Sequence, residues 1–83
     1  MTCGYPEIAI MCRELSIVKN GKYKADFEYC SDTDRLTIRA CNRDESYRYA
    51  DLLMHEDIWL SGPSYNPDEL QQCGLKLADL LKN

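Results

Sequence analysis

Two stretches of this chain alternate apolar and polar residues so regularly that they dictate how it can fold. In 23–30, Tyr23, Ala25, Phe27 and Tyr29 alternate with Lys24, Asp26, Glu28 and Cys30. In 35–41, Leu36, Ile38 and Ala40 alternate with Thr37, Arg39 and Cys41. A period of two places every second side chain on the same face, so each stretch predicts a strand with one buried side. Between them lies Ser-Asp-Thr-Asp at 31–34, residue types whose side chains hydrogen-bond to their own backbone in turns. A turn there opposes Cys30 to Arg35. Tyr29 then faces Leu36, Phe27 faces Ile38, and Ala25 faces Ala40. A slip of one residue would send one apolar set to solvent, so the register is strongly specified. Phe27 and Ile38 are expected as opposed core residues.

The next connection follows the same pairing rule. With Asn-Arg-Asp-Glu at 42–45 as a turn, Ala40 meets Tyr47 and Ile38 meets Tyr49, which predicts a third strand over about 46–51. The clearest helix is the last. Asn66 can accept from free N–H groups at the helix start, and Pro67 suits the first helical position. Asp68 and Glu69 complement the positive end of the helix dipole. Leu70, Cys73, Leu77, Leu80 and Leu81 follow at helical spacing, giving a helix over 67–82. Gly74 inside it costs about 1 kcal/mol relative to alanine unless a close contact requires it.

The N-terminal segment reads two ways. Pro6 and Glu7 can start a helix carrying Ile8, Met11, Cys12, Leu15 and Val18 on one side, with Asn20-Gly21 ending it. Asn20-Gly21 is also a hairpin turn signal, which would make the preceding residues a strand. The expected fold is α+β, one small domain over residues 1–83. A three-stranded antiparallel meander packs on a C-terminal helix, and an N-terminal helix completes an αβββα order. That order is also that of double-stranded RNA-binding domains. Those domains present lysines at the start of the last helix, where this chain has Asn-Pro-Asp-Glu-Leu, so the likeness is one of element order alone.

Little in the sequence resembles reaction chemistry. The five cysteines include no Cys-x-x-Cys and no close Cys/His pair, and His55 is the single histidine. In the hairpin register Cys30 and Cys41 are six pairs apart, roughly 20 Å, beyond the about 7 Å between Cα atoms that a disulfide tolerates. Both are expected on the polar face. Asp32 and Asp34 lack the further carboxylates and the glycine of a calcium loop. Cys12 or Cys73 with His55 is a conceivable nucleophile–base pair, but both cysteines fall on apolar stripes as small hydrophobes. There is no glycine-rich phosphate loop and no nucleophile elbow. No cofactor or metal is expected, and the chain is read as non-enzymatic. No stretch approaches a membrane span and no basic, apolar leader opens the chain, so a cytoplasmic protein with reduced thiols is expected.

Charge placement is the most informative remaining feature. Net charge is −4. Residues 1–50 balance eight acids with eight bases, so the excess lies in 51–83. From Asp51 to Cys73 there are five carboxylates and no lysine or arginine. Such a surface should not bind nucleic acid directly, but can select a basic protein. Lys22, Lys24, Arg35, Arg39 and Arg48 occupy the polar sheet face, where Asp26 opposes Arg39 and Arg48 is expected on Arg39's other side. This face therefore reads as mixed and partly paired. The candidate partner-binding residues are Glu56, Asp57, Trp59, Tyr65, Asp68 and Glu69, aromatic anchors set among carboxylates. In size, acidity and lack of catalytic motif the chain resembles in kind the phage-encoded inhibitors, including anti-CRISPR proteins. That likeness implies a nucleic-acid mimic blocking a basic nucleic-acid-binding protein in the host cytoplasm. The alternatives are a regulatory or subunit-type module docking by its sheet or helix, and a cysteine-based metal or redox protein.

Overall fold

The computed structural model describes residues 4–17 and 21–82. The elements run α1 (Tyr5–Ile17), β1 (Tyr23–Cys30), β2 (Arg35–Asn42), a 3-10 turn (Tyr49–Asp51), β3 (Leu52–Trp59) and α2 (Pro67–Lys82). This is the expected αβββα order. It settles the N-terminal segment as helix, although Val18 and Asn20 lie outside the described residues.

The β1–β2 hairpin has the register that the alternation requires: Ala25 opposes Ala40, Phe27 opposes Ile38, and Tyr29 opposes Leu36. The turn is held at its last residue. Asp34 adopts φ 51°, a left-handed conformation that aspartate tolerates better than most residues. Its carboxylate accepts a 2.6 Å hydrogen bond from the Tyr29 hydroxyl. Both helices cover one face of the sheet. Ile8, Cys12 and Leu15 of α1 and Leu70, Cys73 and Leu77 of α2 meet Leu36, Ile38, Ala40, Met54 and Ile58 in a single core. Gly74 falls on the buried side of α2, so its conformational cost is set against packing.

The third strand lies later than the sequence suggests. It is Leu52–Trp59, not 46–51, and it is Met54 and Glu56, rather than Tyr47 and Tyr49, that oppose Ala40 and Ile38. The physical reason is the chemistry of the covered face. Met54 and Ile58 bury there without a polar atom, whereas two tyrosine hydroxyls would need partners beneath the helices. The tyrosines stay outside. Tyr47 lies against the helix-free face, with the Lys24 ammonium 5.0 Å and the Arg39 guanidinium 5.4 Å from its ring centroid. Arg48 does not flank Arg39 as expected. His55 occupies that place, and Arg48 pairs with Asp51 within the loop. The Asp26–Arg39 pair does form, with both carboxylate oxygens engaged at 3.1 and 2.7 Å.

Two burial expectations also change. Alternation puts Cys41 on the polar surface, but it is fully buried. The register shifts between Ala40 and Cys41, so that Leu53 is an extra residue in β3. The loop after β2 folds back against the thiol, which donates to the Glu45 carbonyl at 3.8 Å. Phe27 opposes Ile38 but remains 36% exposed, because β1 is an edge strand and α1 reaches only part of it. Its ring instead meets Tyr5 edge-on at 5.8 Å.

Arg43 joins the ends of several elements. Its guanidinium donates to the Leu15 carbonyl at the end of α1 and to Gly21 before β1, both at 2.8 Å. No basic residue lies in the last turn of α1, so Arg43 supplies positive charge at the negative end of that helix dipole from across the fold.

Ile38→Ala is expected to cost about 2–5 kcal/mol in urea denaturation, since it leaves a cavity in the middle of the sheet. Phe27→Ala should cost only about 1–2 kcal/mol, in proportion to its smaller burial, and Glu28→Ala less than about 0.5 kcal/mol. A Phe27→Ala loss exceeding that of Ile38→Ala would contradict this assignment of core and edge.

Candidate functional site: a carboxylate hollow at the β3 edge

Successive residues of a strand point to opposite faces. Met54 and Ile58 are buried beneath the helices, which puts Glu56 between them on the same face and Asp57 on the other. β3 is the last strand of the sheet, in the order β1-β2-β3. Glu56 is therefore at the sheet rim, where its carboxylate reaches α2 and accepts from the Lys76 ammonium. That contact raises the Lys76 pKa, chiefly through the hydrogen bond. Asp57 accepts a 2.7 Å hydrogen bond from the Thr37 hydroxyl on the neighbouring strand, with His55 Nε2 3.9 Å away.

The start of α2 brings the other two carboxylates. Asn66 Oδ1 accepts from the Asp68 backbone N–H at 3.0 Å, fixing the helix start that the sequence indicates. Asp68 and Glu69 follow in the first turn, exposed, and neither forms an ion pair with another described residue. Glu56, Asp57, Asp68 and Glu69 line one hollow of about 310 Å³, together with Asn66, Gln72, Cys73 and Lys76. Four carboxylates thus share a recess with one ammonium. The structure brings together four of the six residues singled out from the sequence.

It does not bring the two aromatics there. Trp59 ends β3 opposite Arg35, whose guanidinium carbon is 5.6 Å from a Trp59 ring centroid. Tyr65 is exposed in the turn before α2, where its N–H donates to the Gly62 carbonyl at 3.1 Å. Neither lines the hollow. Sequence reasoning missed Lys76, although a signal existed: Glu69, Gln72 and Lys76 recur at helical spacing and so share a side of α2.

The cysteines are distributed without any shared site among the described residues. Cys12, Cys41 and Cys73 are buried, Cys30 is exposed, and none of the four is in a disulfide. Cys12 lies on the helix side, whereas His55 is on the opposite face against the Tyr49 ring, so that pair is not assembled. Cys73 lines the hollow without His55. Burial pushes the Cys12 thiol up to about 12, helped by the nearby Asp26 charge. Burial also raises Cys41 and takes the Tyr47 hydroxyl to about 12. Cys30 is lowered, first by the Thr33 hydroxyl and then by the backbone N–H groups of Thr33 and Asp32. Among the described residues no group of three or more His, Cys, Asp or Glu side chains is arranged to hold a metal ion. No helix among them is long and apolar enough to cross a membrane.

Comparison with protein-family models, curated proteins and solved structures returns no match.

The buried thiol gives a pH prediction. Cys12 is raised from 9.0 to about 12 in the fold, so the unfolded chain loses this proton first. Its contribution to stability is fully present below pH 9 and is lost as pH rises from 9.0 towards 12, with Tyr47 adding in the same sense from 10.0 upward. Urea midpoints measured across pH 7–11 should fall above pH 9, and Cys12→Ala should flatten that fall. An unchanged pH profile in Cys12→Ala would show that the thiol does not remain protonated in the native core.

Proposed function

We propose that this protein is a non-enzymatic binding protein whose carboxylate hollow engages basic groups of another protein. One observation carries the reading: Asp68 and Glu69, with no ion pair to another described residue, stand in the same recess as Glu56 and Asp57. A helix start and a strand rim set the backbone positions of these charges before a partner arrives, which lowers the cost of binding. The excess negative charge would speed the encounter with a positive surface and discriminate against acidic partners.

The particular inhibitor reading is that the hollow occupies a site built for phosphates on a nucleic-acid-binding protein, in the manner of phage anti-defence proteins, acting in the host cytoplasm. Carboxylates spaced along a helix start and a strand rim can stand in for phosphate oxygens as acceptors of arginine and lysine hydrogen bonds. The rival reading, an ordinary regulatory module docking by apolar surface, would place the contact at Tyr5, Phe27 and Tyr29. The Tyr5 ring meets each of the other two edge-on at the β1 side of the fold, and Phe27 and Tyr29 are exposed.

Charge removal separates the two. Asp68→Asn with Glu69→Gln keeps the shape of the hollow and costs the helix about 0.3–1 kcal/mol per site. Its binding to a partner captured from bacterial lysate should weaken about tenfold or more at low salt, about 1.4 kcal/mol or more. The difference should shrink as salt screens both complexes. Nucleic acid should compete with the wild-type complex. A double variant that folds and binds as the wild type does, with Phe27→Ala abolishing binding instead, would move the partner surface to the aromatic side.

A further inference from the structure

The two edges of the sheet are finished differently. At β1, helix α1 reaches the rim at its Ala25 end: the Ser16 hydroxyl donates to the Ala25 carbonyl at 2.6 Å, satisfying an outward-pointing backbone group. At β3, no strand among the described residues pairs with the outer rim, and α2 approaches it without forming a sheet. The hydrogen-bond phase shows which groups point outward. Leu60 N–H donates to the Asp34 carbonyl at 2.9 Å, continuing the β2–β3 ladder beyond Arg35 and Trp59. Antiparallel pairs alternate between bonded and non-bonded. Ile58, Glu56 and Met54 therefore turn their backbone groups to β2, and Trp59, Asp57 and His55 turn theirs away.

The hollow lies along this same rim. Glu56 and Asp57 point to opposite faces, so a recess that touches both, and α2 as well, must run beside the strand rather than over one face. A further strand would sit about 4.8 Å from β3, at the mouth of the recess. Lys76 already shows that an ammonium fits the carboxylate side, since it bonds to Glu56 there. A second copy of this chain is a poor occupant, because pairing β3 with itself would bring two such carboxylate sets together in a protein of net charge −4.

We propose that β3 accepts an extended basic segment of its partner as a fourth strand. The segment's main chain bonds to His55, Asp57 and Trp59, and its lysines or arginines enter the hollow beside Glu56, Asp68 and Glu69. This rests on the reading of the hollow as the partner site and adds the form of the partner: a strand-forming peptide rather than a folded basic surface. Main-chain bonds supply affinity in this mode, and alternate side chains supply selectivity.

The test uses two synthetic eight-residue peptides of alternating lysine and threonine, one with an ordinary backbone and one N-methylated at every residue. They carry the same charge, but only the first can form a ladder. Both are titrated into the isotope-labelled full chain at low salt and followed by NMR. The ordinary peptide should bind about tenfold or more tightly than its methylated counterpart, as main-chain pairing requires. It should also slow hydrogen exchange at the His55, Asp57 and Trp59 amides, and Asp68→Asn with Glu69→Gln should weaken it. Equal binding of the two peptides, without amide protection, would overturn the added strand while leaving the charged hollow as the site. Failure of both peptides to bind would overturn the strand and the hollow together. Protection of those amides in the free protein that grows with its own concentration would identify a second copy as the occupant and overturn the proposal.

Discussion

The register of the β1–β2 hairpin is the constraint on which the rest of the structure depends. Asp34 in its left-handed conformation, bonded to the Tyr29 hydroxyl, closes the turn so that Cys30 meets Arg35. From that point the period of two allows no freedom: Leu36, Ile38 and Ala40 all face the helices and are fully buried. With this apolar row fixed, α1 and α2 have one face to cover and β3 has one strand to pair with. A shift of one residue would bury Thr37 and Arg39 instead, at a cost a domain this small could not absorb.

The fixed position of β2 also determines where charge accumulates. β3 takes the outer position and must supply Met54 and Ile58 to the core. Between and beside them it carries Glu56 and Asp57, at the strand rim that α1 does not line. The connection to α2 is short, so the acidic first turn of that helix returns to the same rim. Asp68 and Glu69 serve the helix dipole and the recess at once. The gathering of carboxylates is thus a consequence of strand order and helix polarity acting on a locally acidic stretch of sequence. Lys76 neutralises part of it from the next turns of α2.

Features with local physical causes were legible in the sequence. The Asn66 cap, Pro67 and the leucine spacing define α2, and the alternation over 23–41 defines the hairpin. The acidic segment was visible as a run in the chain, and four of its residues do converge. The third strand was not legible, because Tyr47 and Tyr49 alternate with polar residues whereas Glu56 interrupts the apolar row between Met54 and Ile58, and only tertiary burial shows which of the two stretches the helices cover. Cys41 depended on a register shift opposite Leu53, which no period reveals. Phe27 depended on which strands lie at the sheet edges. Trp59 and Tyr65 are near the carboxylates in sequence but stand away from the hollow, because a strand end and a turn separate them from it.

The carboxylate hollow exists only if β3 is the acidic stretch Leu52–Trp59 at the sheet rim, and interstrand NMR contacts measure that directly. Facing residues of a non-bonded antiparallel pair have Cα atoms about 4.5 Å apart and bring their α-protons into close contact. The pairing observed here predicts strong α-proton contacts between Thr37 and Asp57 and between Arg39 and His55. Contacts from Arg39 to Arg48 in their place would put 46–51 in the sheet, remove Glu56 and Asp57 from its rim, and contradict the site.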